Sequence, residues 1–163
     1  MAKNNSEDKP RRLYFKTYLK VINNSVGTNM FRNFYVETDE QGEFDAFGDG
    51  ENSCAFYVSA ILVMFNKMND IHGLVQSTVD DLKKSGWQLV EEPRPGDVLI
   101  WEAKQFSDGS KEHIGFCVDA NRAVSTSNKT QTVVEHDINF SQDKRKVTQI
   151  YRMADWDNDT STS

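Results

Sequence analysis

The stretch that decides the fold is Gly48-Asp49-Gly50-Glu51-Asn52-Ser53-Cys54-Ala55-Phe56-Tyr57-Val58. Its small and polar residues end at Cys54, and from there through Met68 the chain is mainly apolar, with a spacing that fits a helix. A helix that is apolar on nearly all sides is a buried one. At its start, unpaired backbone N–H groups and the helix dipole favour a thiolate over a thiol. The pattern predicts a buried helix with a cysteine nucleophile at its first position.

The elements on either side of this helix follow from apolar spacing and turn residues. An amphipathic helix is expected over residues 11–24, a short strand over 30–37, and a helix over 79–85 that Gly86 ends. Beyond Pro95 the pattern changes to short strands, at 97–102, 113–118, 123–128, 130–136 and 146–153. Helices followed by an antiparallel sheet indicate an α+β fold, with the helix of Cys54 packed on the sheet.

Length and composition predict one domain. The chain has 163 residues with 37% hydrophobic content, which suits a single core over residues 11–153. The polar segments 1–10 and 154–163 are expected to be a disordered lead and tail. A net charge of −6 and a pI of about 5.1 argue against nucleic acid or an anionic membrane as a partner.

Cysteine usage and hydropathy indicate a cytoplasmic setting for the sequence as written. The N-terminus lacks the apolar run of a signal peptide, and no stretch reaches the roughly 18–20 apolar residues of a membrane span. Cys54 and Cys117 are expected to be free thiols, with Cys117 in the core. Three histidines and two cysteines without close pairing do not favour a zinc site, and no cofactor is expected.

Cysteine catalysis needs an imidazole to take the thiol proton and a third group to orient that imidazole. His113, at the start of a strand, is the candidate base for Cys54. If the next hairpin turns at residues 120–121, Asn128 lies opposite His113 and is the candidate third residue. A shorter loop or a bulge would bring Ser127 or another neighbour there instead. His136, one strand further on, is expected to lie outside the site.

The oxyanion that forms in amide hydrolysis must be stabilised by hydrogen-bond donors. The backbone N–H of Cys54 is one expected donor. The second is expected from the preceding loop, from Asn52 or Ser53.

Four motifs also carry a family resemblance. They occur in the order Asn52-Ser53-Cys54-Ala55-Phe56-Tyr57-Val58, Pro95-Gly96-Asp97-Val98-Leu99-Ile100-Trp101, His113-Ile114-Gly115-Phe116 and Val124-Ser125-Thr126-Ser127-Asn128. In order and spacing they resemble the NlpC and CHAP groups of papain-like amidases and endopeptidases, most of which cleave peptidoglycan peptides. The resemblance covers roughly residues 44–136 and implies a papain-like fold.

The resemblance also implies roles for single residues. The nucleophile falls on Cys54 and the base on His113. The CHAP pattern often has Glu and Asn after the second hairpin strand, and these positions hold Thr126 and Asn128. The NlpC pattern often has a second histidine at the position of Ser125, which makes Ser125 the alternative third residue.

Two hypotheses about function follow. The first is a cysteine amidase or endopeptidase that acts on peptidoglycan peptides or related bonds through a thioacyl intermediate. The sequence leaves open whether the protein acts on cytosolic peptides, recycles wall fragments, comes from a phage, or is a toxin delivered by a specialised secretion machine. The second is an inactive papain-like fold that serves as a binding module. The missing acidic positions motivate it, since Thr126 stands where CHAP members often carry Glu and Ser53 where NlpC members usually carry Asp. The NlpC position that usually holds Tyr is also unmatched and holds Phe44. Rapid alkylation of Cys54 is expected of an activated thiolate. The sequence does not indicate an oligomeric state.

Overall fold

A computed structural model of the protein describes residues 10–141 and 143–156 and has an α+β architecture. The helices are α1 (Tyr14–Asn24), α2 (Cys54–Met64) and α3 (Val75–Lys84). The strands are β1 (Tyr35–Thr38), β2 (Gly42–Asp45), β3 (Gln88–Leu89), β4 (Val98–Phe106), β5 (Gly109–Cys117), β6 (Arg122–Ser127), β7 (Thr132–Asp137) and β8 (Val147–Arg152). The prediction of helices before an antiparallel sheet is confirmed, and a papain-like arrangement is compatible with this architecture.

The main sheet is antiparallel, with strand order β3-β8-β4-β5-β6-β7, while β1 and β2 form a separate hairpin. Because side chains alternate along a strand, the main sheet has two apolar faces. One face packs with the helices in the larger core and includes Val98, Ile100, Ile114, Phe116 and Val124. The other face forms a smaller core of Leu99, Trp101, Cys117, Ala123 and Ile150. Helix α2 lies against β5 and β6, so its first residue is held next to the centre of the sheet.

Helix α2 ends earlier than its apolar pattern predicts. Asn66 adopts a left-handed conformation with φ 57°. The N–H of Lys67 donates to the carbonyl of Leu62 at 2.9 Å, and that of Asn66 donates to Val63 at 3.0 Å. This pair of bonds is a Schellman motif, which satisfies the last carbonyls and stops the helix. The expected extension to Met68 is therefore wrong, although Met68 is buried in the core.

The packed part of the chain continues past the expected boundary at residue 153. Trp156 is buried, and its ring stacks on Tyr18 with a centroid distance of 4.2 Å. The rest of the expected tail and nearly all of the expected lead lie outside the described residues. Within the described part of the chain, no helix is long and apolar enough to cross a bilayer.

The β5–β6 register differs by one residue from the expected one. The ladder pairs Phe116 with Val124 and Cys117 with Ala123. The cause is a three-residue loop, residues 119–121, across which the N–H of Val118 donates to the carbonyl of Arg122 at 3.0 Å. A two-residue turn at 120–121 had been expected, and one extra loop residue shifts every partner by one. The predicted pairing of His113 with Asn128 is therefore wrong.

Candidate active site

Cys54 is the first residue of α2, and its thiol is partly buried against β5. The sulfur lies at the backbone N–H of Ile114, the residue that follows His113. The N-cap residue Ser53 does not cap the helix, because its hydroxyl donates to the carbonyl of Gly50 at 3.2 Å. The N–H groups of Cys54 and Ala55 at the helix start also act on the thiol, and each lowers its pKa.

The position of Cys54 at the helix start predicts a lowered thiol pKa, but the structure gives a raised one. Burial raises the pKa of Cys54 above its ordinary value. The N–H groups of Ile114 and Ala55 and the positive charge of Arg145 lower the pKa, but they do not cancel the effect of burial. The resting protein therefore carries a neutral thiol at neutral pH, and the expectation of a preformed thiolate is wrong.

The imidazole of His113 is held from β6. Its Nε2 is hydrogen-bonded to Oγ of Ser125 at 2.9 Å. Of the hydrogen bonds among described residues, none joins this ring directly to the thiol. The ring is partly buried, and burial is the first cause that lowers the pKa of His113 to about 3, followed by the charges of Arg145 and His136. His113 is therefore neutral at neutral pH, with Nδ1 as the nitrogen that Ser125 leaves open.

Ser125, the alternative third residue, takes the place that was expected for Asn128. Asn128 lies exposed in the turn after β6, and no described hydrogen bond connects it to His113. Gly115, on the same strand as His113, explains how Ser125 of β6 comes so close to β5. A Cβ atom at Gly115 would lie 2.6 Å from the carbonyl oxygen of Val124 and 2.8 Å from Cβ of Ser125. Only glycine permits this approach of β6 to β5 without a shift.

His136 belongs to the same network, contrary to the expectation that it lies outside the site. Its Nε2 is hydrogen-bonded to Oγ of Ser125 at 2.8 Å, and its Nδ1 lies 2.9 Å from the carbonyl oxygen of Asp137. The register of β6 and β7 explains this, since His136 pairs with Ala123 and therefore points to the same face as Ser125. Burial lowers the pKa of His136 as well.

Two aromatic rings cover both imidazoles. Phe140 stacks on His136 with a centroid distance of 4.0 Å and meets His113 at 5.7 Å. Trp101 packs against His113 at 5.5 Å and His136 at 5.6 Å, while its indole N–H donates to the carbonyl of Ile138 at 2.6 Å. The rings thereby keep both imidazoles in a largely apolar environment.

Arg145 is a charged group of the site that sequence reasoning missed. Its side chain is buried, with Nε donating to the carbonyl of Glu102 at 2.8 Å and Nη2 to that of Lys111 at 2.7 Å. This places the guanidinium at the irregularity in the β4–β5 ladder, between Trp101 and Lys104. Its charge acts on both the thiol and the imidazole. The sequence offers no signal, because Arg145 lies in an ordinary basic run outside the motifs.

The loop before α2 fixes the side chain of Asn52. Lys111 donates from Nζ to Oδ1 of Asn52 at 2.7 Å. Lysine can only donate, so the amide oxygen must face Lys111 and the amide N–H₂ must point away from it. The backbone N–H of Asn52 donates to the carbonyl of Phe47 at 3.1 Å. Of the two loop residues expected to supply an oxyanion donor, Ser53 thus has its hydroxyl engaged, whereas no hydrogen bond among the described residues uses the amide protons of Asn52.

Other side chains with reactive groups lie elsewhere. Cys117 is a free, buried thiol in the smaller core, and its Sγ donates to the carbonyl of Asp119 at 3.1 Å. Over residues 10–141 and 143–156, no group of three or more His, Cys, Asp or Glu side chains is arranged to hold a metal ion.

The sequence was compared with known proteins. Residues 49–160 match a family model, Amidase_5, described as a bacteriophage peptidoglycan hydrolase. The chain belongs to this family. A search of curated proteins found no match. The matched range of this bacteriophage peptidoglycan hydrolase family begins five residues before Cys54 and includes His113, Ser125, His136 and Arg145. Peptidoglycan is the class of substrate that membership implies.

Proposed function

We propose that this member of the peptidoglycan hydrolase family cleaves an amide bond of peptidoglycan peptides with Cys54 as the nucleophile. The observation that carries the proposal is the position of the thiol at the start of α2, against the strand residue next to His113. The order of a helix cysteine and a strand histidine supports a papain-like site of the NlpC or CHAP type. Because the family is described as a bacteriophage peptidoglycan hydrolase, a phage origin is the best supported of the settings that the sequence leaves open.

The reaction has two halves. Nδ1 of His113 accepts the thiol proton as the sulfur of Cys54 attacks the substrate carbonyl carbon. The C–N bond then breaks, and the imidazolium returns the proton to the leaving amine. Water, activated by the same nitrogen, hydrolyses the thioester and releases the new carboxylate, which restores the thiol. Ser125 orients the imidazole through Nε2 in both halves.

The electrostatics favour proton transfer during the attack over a preformed ion pair. Both groups are neutral at rest, because burial raises the pKa of Cys54 and lowers that of His113. Arg145 stabilises the developing thiolate but disfavours the imidazolium. Alkylation of Cys54 in the resting enzyme is therefore expected to be slow at neutral pH, even though the enzyme is active. Thiol labelling alone does not distinguish an enzyme from a binding module.

The oxyanion would be held by two donors of the loop and helix start. One is the backbone N–H of Cys54. The other is the side-chain amide of Asn52, which Lys111 orients with its N–H₂ group pointing away from the lysine. Preorganised donors of this kind stabilise the transition state without reorganisation when the reaction occurs.

The alternative is an inactive binding module. One observation favours it: no direct hydrogen bond joins the thiol to the imidazole among the described residues, and both groups are neutral. Hydrogen bonds in a resting active site often tighten only when substrate is bound. A measurement of turnover is therefore required to separate the two functions.

The experiment is a digest of purified peptidoglycan followed by mass spectrometry of the released fragments. Amide cleavage gives new amino groups and carboxylates and no new reducing sugar ends. The masses of the fragments also identify whether the cleaved bond joins sugar to peptide or lies within the peptide. New reducing ends would refute the proposal in favour of a glycosidase, and intact peptidoglycan with bound protein would favour the binding module.

A further inference from the structure

The hydrogen bonds of the site continue beyond the third residue. They run from His113 on β5 to Ser125 on β6, from Ser125 to His136 on β7, and end at the main-chain carbonyl of Asp137. We call this series the imidazole network. A serine hydroxyl can donate or accept, so Ser125 by itself does not determine which nitrogen of His113 carries the proton.

The end of the network sets the direction of each bond. A carbonyl oxygen only accepts, so Nδ1 of His136 must carry a proton and donate it to Asp137. Burial lowers the pKa of His136, so its ring is neutral at neutral pH and its Nε2 is an acceptor. Ser125 must then donate its hydroxyl proton to His136 and accept a hydrogen bond from Nε2 of His113. The neutral imidazole of His113 is left with its proton on Nε2 and a bare Nδ1.

We propose that His136 is a positioning residue that fixes the tautomer of His113 through Ser125, leaving Nδ1 as the base. The part that His136 plays in catalysis rests on the proposed function. The tautomer itself is a property of the resting protein and holds whether or not the protein turns over substrate.

The surroundings of His136 hold it in the orientation that this requires. Phe140 stacks on its ring at a centroid distance of 4.0 Å. Arg122 bonds the residues on both sides of it, with Nε donating to Glu135 at 3.0 Å and Nη1 to Asp137 at 2.9 Å. These contacts fix both the ring and the backbone that supplies the terminal carbonyl.

The direct experiment is a long-range ¹H–¹⁵N correlation spectrum of protein labelled at histidine, recorded near neutral pH. The chain has three histidines, and single variants to glutamine assign their signals. For His113 we expect a protonated Nε2 and an unprotonated Nδ1. In the His136→Phe variant, which lacks an acceptor for Ser125, a substantial Nδ1-protonated population of His113 should appear. His136→Gln offers an amide oxygen as acceptor and should keep the original tautomer.

Activity on peptidoglycan provides the second measurement. His136→Phe should lower kcat by about 10–100-fold with little change in KM, the loss seen when a partner that orients a metal-binding imidazole is removed. His136→Gln should lose less. His72→Gln is the matched control, since His72 pairs with Asp81 away from the network, and it should leave the rate unchanged. A wild-type His113 protonated on Nδ1 would overturn the proposal without any variant. So would a His136→Phe protein that keeps both the tautomer and the rate. Loss of the proposed function would instead appear as peptidoglycan that the wild type leaves intact, with the tautomer unaffected.

Discussion

His113 should make the protein less stable as the pH falls from about 7 to about 4.5. Its pKa is about 3 in the folded protein and near 6.5 in the unfolded chain. The folded state therefore binds fewer protons than the unfolded state in this window, so stability is highest above the unfolded pKa and falls as the pH drops towards the folded one.

The size of the effect follows from these two values. One pKa unit corresponds to about 1.4 kcal/mol, and linkage between about pH 7 and about pH 4.5 gives a loss of roughly 2.5 kcal/mol from His113. Asp45 and Asp81, whose pKa values are lowered to about 2, also make the folded protein less stable in acid. Their contribution is lost mainly below about pH 4, the ordinary range of an aspartate, so it does not obscure the histidine effect.

The assay is urea unfolding followed at several pH values for the wild type and for His113→Gln. Glutamine does not titrate, so the difference between the two proteins reports the titration of His113 together with its charge interaction with His136. We expect the free energy of unfolding of the wild type to fall by about 2.5 kcal/mol more than that of the variant over this window. Parallel pH dependences would show that His113 is solvated and titrates normally, which would refute the buried neutral imidazole.

Two further substitutions test other parts of the site, and a third tests the ion pair of Asp97 and Arg152, which lies outside it. Gly115→Ala should force β6 away from β5 at Ser125, so the free energy of unfolding measured with urea should fall by about 1–3 kcal/mol and most of the activity should be lost. A variant with unchanged stability and activity would contradict the close approach. Asn52→Asp keeps the oxygen that faces Lys111 but removes the amide protons, so kcat on peptidoglycan should fall by about 10²–10³-fold while thermal stability changes little; a wild-type kcat would exclude this donor. Asp97→Ala leaves Arg152 without its buried carboxylate and should cost about 3 kcal/mol by chemical denaturation; a loss below roughly 1 kcal/mol would show that the pair contributes little.

Much of the fold could be predicted because its signals are local. The apolar run after Cys54 and the stop at Gly86 each depend on neighbours in sequence, so the start of α2 and the end of α3 are as predicted. The other ends are not, because α2 stops at Met64 and α3 begins at Val75, four residues before its predicted start. Gly86 adopts φ 91° at the end of α3, as a C-terminal glycine does. The short strands β2 and β3 escaped prediction because neither has a clear alternation of apolar residues.

The site was predictable only in part, because its contacts depend on register and on distant segments. One additional residue in the loop between β5 and β6 moved Asn128 out of reach. Ser125 entered only as an alternative that the NlpC resemblance implied. Arg145 and His136 reach the site from segments after the motifs, through contacts that no local pattern encodes. The prediction of a thiolate was wrong for a related reason, since burial of Cys54 by the sheet raises the thiol pKa more than the N–H groups of the helix start lower it.

The most direct test of the central claim is the initial rate of peptidoglycan hydrolysis by Cys54→Ser, compared with Cys117→Ser and the wild type. Cys117 is the matched control, because it is the other cysteine of the chain and is buried in the smaller core. If Cys54 is the nucleophile, its variant should lose at least about 10³-fold in rate, because the hydroxyl is a far weaker nucleophile than the thiol in the same place. The Cys117 variant should keep the wild-type rate. Hydrolysis by Cys54→Ser at a rate near that of the wild type would contradict the account.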